Sequence, residues 1–248
     1  MIPGDVFLME GTSKFSPYLM AAQKVVVYGK TRSSHVMYSF GDGVFIHSTT
    51  KPGVEIISYK EVLPECKEGW RVIRNTKLTD VQREELQKAS LFYLQQGYNF
   101  AFMAPSNSHS SFCSELVAKI YEKAGVSLFD KDTGKVAPGD FDRAADDAAD
   151  WLDVTEEYKA GFAKHDANPR QFDLIVSMFK ALIQKRAFIL QQTDEVMKMA
   201  KHVLSPENFN NAYRMEADFR KKKNISFWNE TPYPDLPSDE PKDPKPES

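Results

Sequence analysis

The chain has 248 residues, 42% hydrophobic and 12% aromatic, which is enough for one sizeable core and an extension. A formal charge of −3 offers no basic face, so nucleic acid is not expected as a partner. Two cysteines make no disulfide framework and read as free thiols of a cytosolic fold. The opening "MIPGDVFLMEG" does not read as a signal peptide, because Asp5 and Glu10 interrupt its apolar run. No apolar stretch approaches the ~20 residues of a membrane span. Synthesis in the cytoplasm is therefore expected, with a specialised route for any action elsewhere.

In chain order, the first half reads as short strands. "GDVFLM" (Gly4 to Met9) is the first. "SPYLMAAQKVVVYGK" follows as a short helix, although its valine run favours extended structure. "SSHVMYSF" (Ser33 to Phe40) and "GVFIHST" (Gly43 to Thr49) flank "GDG" and predict a hairpin, since its glycines tolerate positive φ. "GVEIISYKEVL" and "WRVIRN" (Trp70 to Asn75) complete the strand-rich half. "TDVQREELQKASLFYLQQG" then predicts a helix capped by Thr79 or Asp80, with Val81, Leu86, Leu91 and Leu94 as its apolar stripe and Gly97 at its end. "YNFAFMAPSNSHS" reads as a loop. The helix after it carries Leu116, Val117, Ile120, Tyr121 and Ala124 at helical spacing and ends at Gly125.

That helix opens on Cys113, in "SSFCSELVAKIYEKAG". A lone cysteine on an apolar helix face is most often core packing. The first turn of a helix changes the weighting, because its free N–H groups and dipole favour a thiolate. A thiol nucleophile also needs a base, normally histidine, and a group to orient it. His165 and His202 lie in the helical C-terminal part, and His109 lies in a serine-rich loop. His35 and His47 sit on the two arms of one hairpin, where side chains on one face approach closely. A one-residue slip in register would separate them. A zinc site built from His35, His47 and Cys113 is the competing account, and the absence of a closely spaced ligand pair argues against it. Neither a metal nor an organic cofactor is expected. Cys66, in "PECKEG", has no helix or histidine context and reads as incidental.

The order "GDVFL", "SSHVMYSF", "FIHSTTKPGVEIISYKEVL", "YNF", "FCSELVAKIYEKAG", "APGDF" resembles the circularly permuted branch of the papain-like NlpC superfamily, the YiiX/YebB-like group, over about Ile2 to Phe141. In that branch the histidine strand precedes the cysteine helix. The His-His-Cys set is also similar to that of the lecithin:retinol acyltransferase relatives. The resemblance implies Cys113 as nucleophile, His35 as base and then acid, and His47 as the group that orients His35. Many YiiX-like members carry Glu or another polar residue where this chain has His47. An oxyanion would rest on backbone N–H at the helix start, with Ser34, Ser114 and Tyr98 as further oxyanion or substrate contacts. Glu115 reads as a first-turn acid that complements the dipole.

The implied fold is α+β, a permuted papain-like domain over 1–141 with an antiparallel sheet or small barrel and the cysteine-bearing helix. A helical extension over 142–228 would pack on it, with one long helix, or two in line, from Pro169 to Leu204 and a last one after Ser205. The stretch 229–248 is rich in Pro and charge and reads as disordered. "FRKKKNISFW" reads as a solvated helix end rather than a membrane contact. The resemblance implies an amide hydrolase whose leading substrate is peptidoglycan peptide. Another acyl group, on a lipid or thioester, is the second enzyme reading, and a non-catalytic binding scaffold is the third. A cell-wall amidase without a signal peptide fits a toxin-like effector delivered to the periplasm or a target cell by a secretion apparatus. Its partner would then be an immunity protein.

Overall fold

The computed structural model describes residues 1–12, 16–221 and 227–228. Its strands are β1 (Val6–Met9), β2 (His35–Gly41), β3 (Val44–Ser48), β4 (Val54–Ser58), β5 (Arg71–Asn75), β6 (Gly97–Tyr98), β7 (Ser110–Ser111) and β8 (Trp151–Asp153). The helices are α1 (Ser16–Val26), α2 (Tyr59–Val62), α3 (Asp80–Phe92), α4 (Cys113–Lys123), α5 (Pro138–Asp147), α6 (Thr155–Ala167), α7 (Pro169–Val203) and α8 (Pro206–Lys221). Two compact units result, Met1–Ile183 and Gln184–Ser248.

Six strands form one antiparallel sheet in the order β4-β3-β2-β1-β5-β8. The predicted hairpin forms because Gly41, Asp42 and Gly43 all take positive φ between β2 and β3. Strand alternation then divides the side chains between two faces. Val36 and Tyr38 face α4, whose Tyr121 hydroxyl donates to the Gly4 carbonyl. Phe7 and Phe45 face the other way, packed edge to face at 5.1 Å. Phe45 lies 6.3 Å from Tyr158 of α6, and Phe7 stacks on Trp70 at 5.0 Å. Both faces are therefore covered, as a sheet with fully buried strands requires.

The structure departs from the sequence reading in three places. Val81 is 70% exposed, so the core stripe of α3 begins at Leu86, which is fully buried. That helix stops at Phe92, and Gly97 instead opens the two-residue β6, which pairs in parallel with β7 inside the supposed loop. The segment after Phe141 is not wholly helical either. Trp151–Asp153 joins the sheet as β8, too short to show an alternating pattern, and Trp151 is placed by ring contacts to Phe129 and Phe141. The first compact unit accordingly runs past the boundary read at Phe141, to Ile183. The tail 229–248 and most of "KKKNIS" lie outside the described residues.

The outer edge of β4 is covered by the chain at Gln95 and Gln96. Val54 N–H donates to the Gln96 carbonyl, and Gln95 N–H to the Val54 carbonyl, both at 2.8 Å. Gly53, at φ +103°, makes this approach feasible, since a Cβ there would lie 2.1 Å from the Gln96 oxygen. Gly53→Ala is expected to cost at least ~2 kcal/mol, from the φ strain plus the clash. Thermal melting should register this as a drop of several degrees, and an unchanged midpoint would refute it.

Candidate active site

His35 and His47 face each other across the splayed end of the β2–β3 hairpin. The ladder between these strands begins only at Tyr38 and Ile46. Beyond it the strands part, and the two rings meet edge to face, with His35 Nε2 3.2 Å from His47 Nδ1. The next residue on each strand reaches the cysteine segment. The Val36 N–H, in the peptide that follows His35, faces the Cys113 sulfur. Ser48, which follows His47, donates its hydroxyl to the Ser111 carbonyl at 2.5 Å. The hairpin end and the start of α4 are thus docked to each other through the immediate neighbours of both histidines.

Cys113 opens α4, where the first N–H groups have no helical acceptor. Its own N–H and that of Ser114 face the sulfur, so both are available to an oxyanion formed beside it. Ser114 also offers its hydroxyl to the sulfur, but the proton of that hydroxyl is taken by the Val136 carbonyl at 2.7 Å. Tyr98 is a close neighbour of Cys113, and burial raises its phenol pKa, with Cys113 adding to the effect. Ser34 does not join the cysteine. It accepts from Gly11 N–H and donates to Ser16 Oγ, both at 3.0 Å, so an oxyanion role is not available to its committed hydroxyl. With His35, His47 and Ser16 it lines a cleft of about 420 Å³ that also touches Met9, Met37 and Glu65 and that Cys113 does not line.

One contributor was not read from the sequence, and the part played by a second was understated. Glu55 is paired with His47 across the β3–β4 ladder, its Oε1 3.5 Å from His47 Nε2. The signal was present, because His47 and Glu55 lie equally far from Lys51 in the turn. Glu115 does more than complement the dipole. It is fully buried and accepts from Phe112 N–H, Asn99 Nδ2, Ser106 Oγ and Lys119 Nζ. This clamp ties the loop of residues 99–112 to the cysteine turn. His109 stays at an exposed loop, and His165 packs against Tyr59 and Phe172.

The histidine strands precede the cysteine helix, the reverse of papain's order. Residues 15–136 match the family described as permuted papain-like amidase enzyme, YaeF/YiiX, C92 family. This segment is a permuted papain-like domain of that family. Among solved structures, the chain is similar to one described as metalloprotein yiiX from Escherichia coli O157:H7. That match has 18% identity and a TM-score of 0.47, and covers 62% of this chain and 96% of the other. A search of curated proteins finds no match. The chain is a cysteine hydrolase of the peptidase/amidase type.

In this papain-like domain the helix dipole does not win over burial. Burial pushes the Cys113 thiol up, against the opposing N–H groups of Val36, Ser114 and Cys113. Burial also lowers His35, with His47 adding to the effect, to about 3. At rest Cys113 is therefore a neutral thiol, not the thiolate expected from the helix start, and His35 is a neutral imidazole. Cys66 is pushed up to about 12 by burial and Glu65, and its thiol meets the Val62 carbonyl and Met9 sulfur. His35 and His47 direct ring nitrogens at one another, and among the described residues no group of three or more His, Cys, Asp or Glu is disposed to hold a metal ion.

The depressed His35 predicts a pH effect with a definite sign. Unfolded histidine titrates near 6.5, so below that pH the unfolded chain binds a proton that the folded domain refuses down to about 3. Stability is thus unaffected by this group above pH 6.5 and falls as the pH drops toward 3. Between pH 6.5 and 4.5 the loss is about 2 kcal/mol. Urea unfolding at both pH values, for the wild type and His35→Gln, measures it. Equal losses in the two proteins would show that His35 is not responsible.

Proposed function

We propose that this amidase forms an acyl-enzyme on Cys113. His35 takes the thiol proton as sulfur attacks the carbonyl carbon, and returns it to the leaving amine as the C–N bond breaks. Water, deprotonated by His35, then releases the acid. The tetrahedral oxyanion rests on the Cys113 and Ser114 N–H groups, and His47 orients His35. The observation that carries this reading is the 3.2 Å His35–His47 contact at the hairpin end that docks on the Cys113 turn. Peptidoglycan peptide is the proposed amide substrate, on the strength of the family's amidase description and the sequence resemblance. Delivery by a secretion apparatus, and an immunity protein over the site, follow from that substrate as part of the same proposal. Incubating purified sacculi with the protein should release new muropeptides, and none at high enzyme concentration would remove this substrate.

One observation favours a second substrate, an acyl chain. Beside Tyr98, the loop exposes Phe100 (70%), Phe102 (47%) and Met103 (44%). Tyr98 packs on Phe100 at 4.9 Å, and Phe102 on Phe112, the residue before the nucleophile, at 5.1 Å. Exposed apolar clusters of this kind mark binding surfaces. Intact mass after incubation with phospholipid extract or with muropeptides distinguishes the substrates by the acyl group left on Cys113.

A further inference from the structure

We infer that Glu55 is a positioning residue. By holding the proton of His47 on Nε2, it leaves Nδ1 of His35 as the nitrogen that accepts the thiol proton. The inference rests on the reading of His35 as the base.

His47 is 5% exposed, and its Nε2 is shut off from water with no hydrogen bond of its own. A buried ring nitrogen in that condition is costly, so a nearby acceptor decides its state. The carboxylate of Glu55 lies 3.5 Å away, on the residue directly opposite in β4. An ionised carboxylate can only accept, so Nε2 of His47 must carry the hydrogen.

The rest follows from the chemistry of neutral imidazole, which has one N–H and one bare nitrogen. With Nε2 protonated, His47 Nδ1 is bare and can only accept. Its partner at 3.2 Å, His35 Nε2, must then donate. That fixes the His35 hydrogen on Nε2 and leaves its Nδ1 lone pair free for the thiol proton. Without Glu55, both rings can reverse together with the 3.2 Å contact intact. His35 would then carry hydrogen on Nδ1 and could not act as the base. A single carboxylate two side chains removed from the sulfur thus selects the productive member of two otherwise similar tautomer pairs.

Long-range proton–nitrogen correlation spectra of histidine-labelled protein at pH 8 test this directly. The wild type should show His47 and His35 both protonated on Nε2. Glu55→Ala should show mixed or reversed tautomers, and Glu55→Gln, whose carbonyl oxygen can still accept, should restore most of the wild-type pattern. Turnover should follow, with kcat reduced roughly 10-fold or more in Glu55→Ala, KM little changed, and recovery in Glu55→Gln. A wild-type spectrum with His47 protonated on Nδ1 would overturn the inference without any variant. So would a folded Glu55→Ala protein with wild-type tautomers. Full activity of His35→Ala would instead remove the base assignment while leaving the tautomer result standing.

Discussion

Cys113→Ala is expected to abolish amide hydrolysis, with kcat/KM falling by roughly 10⁴-fold or more. His35→Ala should approach the same floor, and the double variant should be no worse than either alone. Residues that act as one unit lose their effect together, so non-additivity is the signature to look for. Neither change should unfold the protein. Cys113 contributes a small side chain to a turn held by Glu115 and Ser48, both of which remain. His35 packs poorly as a cation, and its removal relieves the acid sensitivity described above. Circular dichroism alongside turnover on whichever substrate proves active would check both points. Retained activity in Cys113→Ala would end the acyl-enzyme mechanism. Because the resting thiol is neutral, the reaction must carry its proton to His35 as the sulfur–carbon bond forms. With His35 neutral down to about pH 3, activity should rise only near that pH and then stay level through the mildly acidic and neutral range.

The second large effect is expected from Asp142, which does no chemistry. It is fully buried in the middle of α5. One carboxylate oxygen accepts from Arg32 N–H at 2.8 Å and Ser33 N–H at 2.7 Å. The other accepts from Ser33 Oγ at 2.9 Å and the Arg71 guanidinium at 2.7 Å. Asp142→Ala strands three neutral donors and removes one of the two carboxylates that hold Arg71, the other being Asp146, a loss of about 2–4 kcal/mol. Asp142→Asn keeps one acceptor oxygen and should lose less. The same carboxylate fixes the strand entry two residues before His35, so surviving Asp142→Asn enzyme should also show a lower kcat. Urea unfolding measures the first effect, and a loss below about 1 kcal/mol would contradict it.

Much of the candidate site's placement could be read from local pattern. The "GDG" turn set the hairpin, the hairpin faced His35 with His47, and the cysteine announced its helix by the apolar spacing that follows it. Glu55 was equally local but lay one strand further, where register had to be carried through a second turn. Asp142 and Glu115 were illegible for a different reason. Each is an acid in an acidic or mixed helix, and only burial against distant donors distinguishes it from a solvated one. The neutral Cys113 thiol was misread because dipole and burial act in opposite directions at a helix start. Sequence shows the first and only packing shows the second. β8 was hidden by its length, since three residues carry no period.

That short strand has a consequence in time. Trp151 pairs with Asn75, so the free edge of β5 waits for a partner made some seventy-five residues later. On the ribosome the cysteine helix emerges before the sheet behind it can be completed. At the usual pace of synthesis, an open strand edge is presented for several seconds. During that interval the nascent chain offers unpaired backbone to any neighbour on the same message. Arg71 and Arg74 put two charges on that strand, the feature by which natural edges discourage pairing with a second copy.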